Sequence, residues 1–183
     1  MVPRILLGLT GGLALALAFE PVAVAYLAPL GVAAFLLAVH GLPARRAWLP
    51  GLAFGVSFEF VLQWWMRAVG TDAWLALSSV EAAFFAVLGP VMVLLMRLRW
   101  WPAWTAAAWV AAEVVRTTWP AGGMPWGRLA FATVDTPFAD ALPYIGANGV
   151  SLLLALLGST LAWALLRARE QRAHRRGAVA ALA

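Results

Sequence analysis

The stretch Trp109-Val-Ala-Ala-Glu113-Val-Val-Arg116-Thr-Thr-Trp119-Pro-Ala-Gly-Gly-Met-Pro-Trp126-Gly127, continued through Asp135, Pro137 and Asp140 to Pro143-Tyr-Ile-Gly-Ala-Asn148-Gly-Val-Ser151, is the one long interruption in an otherwise apolar chain. Glu113 and Arg116 stand three apart, so a helix puts them on neighbouring positions of one face, where they read as an ion pair fastening the helix end to the following loop. From Trp119 to Gly127, prolines and glycines stop the helix. A loop this long between packed elements is functional or disordered, and its tryptophans with their Pro-Gly punctuation argue against disorder. Trp126 points to a loop that dips back into a membrane leaflet, which is tolerated only where the backbone is buried in protein or lines a water cavity.

Outward from this stretch the composition decides the class. Of 183 residues 64% are hydrophobic and 11% charged, and the mean hydropathy is +0.86. Soluble chains are roughly half apolar and a quarter charged, so the expectation is an all-α integral membrane bundle. Six apolar runs approach the ~17–25 residues a span needs: Val2–Phe19, Val22–Val39, Ala47–Met66, Ala73–Met96, Ala103–Trp119 and Gly149–Leu166. Residues 1–176 form one transmembrane helical domain on this reading. The apolar run 177–183 reads as the start of a truncated seventh span. Arg4, the first apolar run and the small residues around Ala14–Ala18 also fit a signal peptide, but the next run starts almost at once after Glu20-Pro21, which suits a tight helical hairpin.

Orientation follows from the arginines. All 13 basic residues are arginine, and alternating spans place ten on one side (Arg4, Arg45, Arg46, Arg97, Arg99 and the five after Leu166) against Arg67, Arg116 and Arg128 on the other. The N-terminus is therefore expected in the cytoplasm and the loop 120–148 outside. The net charge of +5 is explained by this topology and gives no nucleic-acid surface. With no cysteine there is no disulfide, thiolate metal site or cysteine nucleophile. His40 and His174 stand alone, so no metal and no cofactor are expected.

Three glutamates fall inside expected spans, where a charge costs roughly 2.5–3.5 kcal/mol on insertion scales. Glu59, Gln63 and Arg67, spaced by four, form one polar stripe on the third span, with Trp64 and Trp65 at its outer end. Two readings stand for that stripe: a polar cleft for a lipid headgroup or substrate, or hydrogen bonding between helices. Glu81, with Ser78 before it and Phe84 and Phe85 after, reads as helix–helix glue. Most tryptophans near span ends fit an interfacial belt. Asn148-Gly-Val-Ser151 reads as a helix start.

Glu113-Val-Val-Arg116, Gly122-Gly-Met-Pro-Trp126, Asp135-Thr-Pro137 and Tyr144-Ile-Gly-Ala-Asn-Gly149 resemble, in order and spacing, the Glu-x-x-Arg, Gly-Phe-Pro-Trp and Gly-x-x-Gly stretch of the apolipoprotein N-acyltransferases. Phe19-Glu-Pro21 resembles that family's Phe-Ser-Pro after the first span, and Trp64-Trp65 its Asn-Trp pair after the third. The likeness covers nearly the whole chain. It implies a membrane arm followed by a nitrilase-like domain outside the cytoplasmic (inner) membrane of a bacterium. That domain's Glu-Lys-Cys triad takes an acyl chain from a phospholipid donor as a thioester and passes it to the N-terminal amine of a diacylglyceryl lipoprotein acceptor. The chain departs from the pattern at Met124 (phenylalanine in the family) and Glu20 (serine). It has neither cysteine nor lysine, so no catalytic residue of the triad maps onto it and this stretch alone is expected to be inactive. Glu59, Gln63, Trp64, Arg67, Glu113, Arg116 and Trp126 are the candidate lining of a substrate or lipid cleft at the outer mouth. The competing expectation is a small polytopic transporter or channel subunit using the intramembrane glutamates, though no related halves are visible, as many transporters have.

Overall fold

The computed structural model describes the backbone of residues 1–180 and the side chains of residues 1–174. Among the described residues the chain is all-helical: α1 (Val2–Ala16), α2 (Leu27–Val39), α3 (Ala44–Leu62), α4 (Thr71–Leu95), α5 (Trp101–Arg116) and α6 (Leu142–Ala180), with 3-10 turns at Trp64–Ala68, Leu129–Thr133 and Ala139–Ala141. Every expected apolar run forms one helix. Only two of them are long and apolar enough to cross a membrane by length and hydropathy alone: α4, with a best-window hydropathy of 1.9, and the segment Ala139–His174, with 2.0. α1 has 15 residues, about 22 Å of helix at 1.5 Å per residue, against a hydrocarbon core of ~30 Å. α2 is shorter still, because residues 20–26 form turns and leave only 13 in the helix. α3 and α5 are interrupted by charge: Arg45, Arg46 and Glu59 in one, Glu113 and Arg116 in the other. Six helices are therefore observed, and six spans remain a reading of them. The expected start of a seventh span at 177–183 lies outside the residues described with side chains.

Close backbone packing sets the arrangement. A Cβ on Gly12 would lie 2.2 Å from the Phe54 carbonyl oxygen, and one on Gly51 2.3 Å from that of Phe85. Only glycine lets α3 approach α1 on one side and α4 on the other this closely, the small-residue packing that replaces the hydrophobic effect between helices in lipid. The register is parallel for α1 and α3 (Gly8 on Pro50, Gly12 on Phe54) and antiparallel for α3 and α4 (Gly51 on Phe85, Gly55 on Ala82). Between these helices sits an aromatic core. Phe54 meets Phe35 at 4.9 Å and Phe85 at 5.2 Å, while Trp109 stands edge-on to Phe35 at 5.6 Å. Such tilted pairs contribute about 0.5–1.5 kcal/mol each beyond burial. The outer surface is apolar as well, with Val87 68%, Leu94 52% and Leu157 50% exposed, the pattern of a surface that meets lipid or another protein.

The two ends differ. At one end Arg4 donates to the carbonyls of Leu37 (2.7 Å) and His40 (2.6 Å), closing the antiparallel pair of α1 and α2 and satisfying carbonyls that the end of α2 leaves free. At the other end lie the 3-10 turn after α3 and the long connection from α5 to α6, and there Glu59, Glu81, Glu113 and Arg116 meet.

Candidate functional site

The last turns of α3 and α5 and the middle of α4 converge beneath the α5–α6 connection. Arg116 closes α5. Its Nη2 donates to Glu59 Oε1 at 2.6 Å and its Nε to Glu81 Oε2 at 2.5 Å. Gln63, at the end of α3, donates Nε2 to Glu59 Oε2 at 2.7 Å. One guanidinium thus ties three helices together through two carboxylates, in the charge-assisted geometry that arginine's fork favours. Its cationic centre lies 5.3 Å from the ring of Phe85, so the aromatic core forms the floor of the network.

Glu113 faces a different way. Its Oε1 accepts the backbone N–H of Leu129 at 2.9 Å and the indole N–H of Trp109 at 3.2 Å. Its Oε2 stands 3.8 Å from Arg128 Nε, and neither of these two buried atoms has a hydrogen-bond partner. Arg128 also meets the side-chain amide of Asn148, and the N–H of Ala130 donates to Ser151 Oγ at 3.1 Å. The segment 128–130 is thus held between α5 and α6 by side chains of both.

The proline-glycine turn folds back over α5. Met124 N–H donates to the Arg116 carbonyl at 2.7 Å. Gly127, at φ +93, covers the network: a Cβ there would stand 2.9 Å from Arg116 Nη2 and 3.2 Å from Leu62. Both the positive φ and the close cover require glycine. Trp126 packs on Trp65 at 4.4 Å between ring centres, which joins the loop to the 3-10 turn after α3.

Two expectations are corrected here. Glu113 and Arg116 do not pair with each other: neighbouring positions on one helix face still splay toward different partners, and Arg116 reaches Glu59 and Glu81 while Glu113 reaches the loop. Nor do Glu59, Gln63 and Arg67 form one stripe. The α-helix ends at Leu62 and the chain tightens to a 3-10 turn over Trp64–Ala68, whose three-residue period rotates position 67 away from position 63. Arg67 instead lies over the face of Trp64 at 4.2 Å and near Trp74 at 5.6 Å, a cation–π contact on the surface. The seven candidate residues therefore separate. Glu59, Gln63, Glu113 and Arg116 are each at most 4% exposed, whereas Trp64 and Trp126 are 56% and 45% exposed and Arg67 is on the surface. Sequence reasoning left Glu81 and Arg128 off the candidate list. Glu81 was legible as a charge in an apolar run, but Arg128 had no signal beyond its place in the loop.

The cavity beside Glu113 and Arg116 has a volume of only about 10 Å³, room for at most one water. The hydrogen bonds of the arrangement fix helices and loop to one another. Replacing Glu113 by alanine strands the Leu129 amide and the Trp109 indole N–H, at about 1–3 kcal/mol for each buried donor left unmet, whereas glutamine keeps an acceptor for both. Hydrogen exchange at Leu129–Thr133 is expected to speed up in Glu113→Ala and to stay near wild type in Glu113→Gln. Equal acceleration in both would mean that charge, not the acceptor, holds the loop.

Residues 11–160 match the family model described as the apolipoprotein N-acyltransferase N-terminal domain. Among curated proteins, the chain is 34% identical to the apolipoprotein N-acyltransferase of Methylococcus capsulatus, covering 88% of this chain and 35% of the relative. It is 31% identical to that of Bordetella bronchiseptica, with 98% and 38% covered, and 36% identical to that of Mycolicibacterium smegmatis, with 82% and 26% covered. The chain thus spans about a third of the length of these relatives.

Proposed function

The chain belongs to the apolipoprotein N-acyltransferase family, and from that premise we propose that it serves as the membrane arm of an enzyme moving an acyl chain from a phospholipid to the N-terminal amine of a lipoprotein's diacylglyceryl-cysteine. The six helices act as six spans of a single domain, residues 1–176, in the bacterial cytoplasmic membrane. The N-terminus is cytoplasmic and the loop 120–148 lies outside. The shorter helices reach across because their ends carry arginines and tryptophans that sit at the interfaces. The chemistry resides in residues this chain does not contain, since it has no cysteine and its basic residues are all arginine.

The observation that carries the proposal is the anchoring of the outer loop on a buried ionic network. Glu113 and Arg116 hold the loop, and Glu59, itself bonded by Gln63, holds Arg116 in turn. Trp64, Arg67 and Trp126 stay at the surface, where an arginine over tryptophans suits a phospholipid phosphate and its interfacial glycerol. An ion-conducting reading is less well supported, because Glu59 and Glu81 are already engaged by Arg116.

Two measurements test this. The chain's lack of cysteine makes labelling clean: Val134→Cys should react with an impermeant maleimide from outside intact cells, and Arg97→Cys only after permeabilisation. The reverse pattern would overturn the orientation. A chimera in which residues 1–176 replace the matching third of the Methylococcus capsulatus relative should N-acylate a lipoprotein substrate, while the 183-residue chain alone should give no turnover. A chimera that inserts and labels correctly yet transfers nothing would defeat the proposed role.

A further inference from the structure

At the end of the bundle opposite the ionic network, the turn from α4 to α5 and the middle of α6 (Leu156 to Arg167) line a cavity of about 460 Å³, within the ~300–1,000 Å³ range of small-molecule sites. Its walls are of two kinds. Leu98, Trp101, Leu156 and Trp163 make an apolar side, and Arg99 and Arg167 supply cations at the rim. A second cavity of about 280 Å³ adjoins it, shares Trp101, Trp163 and Arg167, and is also lined by His40 and Glu170.

The cations differ in what already occupies them. Arg4 is bound to the α2 carbonyls. Arg167 meets Glu170 at 3.3 Å, but both side chains are well exposed, 61% and 58%, and such pairs are weak. Among the described residues Arg99 has no carboxylate within 4.0 Å and rests only against the ring of Trp100, at 5.6 Å. Burial and the nearby Arg4 hold the His40 imidazole below its ordinary range, against the opposing pull of Glu170. An interfacial tryptophan belt explains the indoles, but it does not require two arginines to open into one apolar-walled cavity between helices.

We propose that this cavity binds the headgroup of an anionic phospholipid of the adjacent leaflet, with Arg99 and Arg167 on the phosphate and the Leu156–Trp163 wall against the glycerol and the start of the acyl chains. Charge complementarity selects the anionic headgroup, and the apolar wall selects a lipid over a free phosphate. The cavity lies at the end of the bundle away from the Arg116 network, and its assignment to a leaflet rests on the membrane orientation proposed above.

Native mass spectrometry of the 183-residue chain, released from nanodiscs of phosphatidylcholine mixed with phosphatidylglycerol, reads the retained lipid. Wild type is expected to keep phosphatidylglycerol over phosphatidylcholine by about 10-fold, the factor that corresponds to 1.4 kcal/mol. Arg99→Gln with Arg167→Gln should abolish the preference. Arg97→Gln, in the same turn but outside the cavity, should leave it intact. Leu156→Trp, which fills the apolar side and spares both arginines, should reduce it. Retention of the preference in the double variant or in Leu156→Trp would overturn the site, as would its equal loss in Arg97→Gln. Displacement of the lipid by millimolar glycerol phosphate would show a free-phosphate site and overturn the lipid assignment.

Discussion

Replacing Arg116 by methionine is expected to destabilise the bundle by about 3–5 kcal/mol, the cost of leaving buried charges without their partner. The expectation follows from what the guanidinium does. It is 4% exposed, bonds to Glu59 and Glu81 on two other helices, and has Gly127 as its cover. Without it two carboxylates at most 1% exposed face each other in a site beside a cavity with room for at most one water. The effect should be conditional. Glu59→Gln and Glu81→Gln introduced with Arg116→Met remove the stranded charges and should recover most of the loss, since a neutral replacement of a buried ionic cluster is often nearly neutral in stability. Denaturant titration followed by tryptophan fluorescence in detergent measures both. A single variant as stable as wild type would mean that the network is hydrated or otherwise paired. A triple variant no better than the single would mean that Arg116 acts through packing on Phe85 rather than through charge.

Gly51→Leu should have the second largest effect, because it acts on the backbone packing from which the register of the bundle follows. Even a Cβ at this position would stand 2.3 Å from a carbonyl oxygen of α4, and backbone cannot swing aside as a flexible side chain does. The helices must separate by about an ångström or shift register. Overpacking of this kind costs about 1–3 kcal/mol and sometimes more. Here the shift also moves Glu59 on α3 relative to Glu81 on α4, so the ionic network loosens with it and hydrogen exchange should accelerate at Leu129–Thr133, far from the substitution. Gly70→Ala is the control, since the only close neighbour of its Cβ is the Asp72 side chain, which can rotate. A folded, wild-type-like Gly51→Leu would show that α3 and α4 pack less closely than described.

Much of this was legible in the chain. Apolar runs separated by Glu20-Pro21, Gly41-Leu-Pro43 with Arg45, Gly70-Thr-Asp72 and Arg97 with Pro102 gave the number and order of the helices, because these breaks join proline or glycine to charge, whereas Pro50-Gly51 and Gly89-Pro90, set inside apolar runs, leave α3 and α4 continuous. The ends were less legible. α6 begins at Leu142 and absorbs Pro143 and a non-helical Gly146 before the expected start at Gly149, and α2 gives up its first turn. Charged residues within apolar runs were conspicuous, and so Glu59, Gln63, Glu113 and Arg116 stood out as a group, with Glu81 noticed beside them.

The amino-acid order by itself determined that the chain is a helical, lipid-compatible bundle with a proline-glycine loop near one end and most arginines near the other, because composition and short-range periodicity carry that information. Only the tertiary structure decided who pairs with whom. That Arg116 takes Glu59 and Glu81, that Glu113 turns to the Leu129 amide, and that Arg67 leaves its stripe for Trp64 all depend on rotation about helix axes and on inter-helix register. Those quantities are set by glycine contacts between residues far apart in the chain, such as Gly12 with Phe54 and Gly51 with Phe85, and by a local change from α to 3-10 winding, and neither can be read from the spacing of charges along one helix.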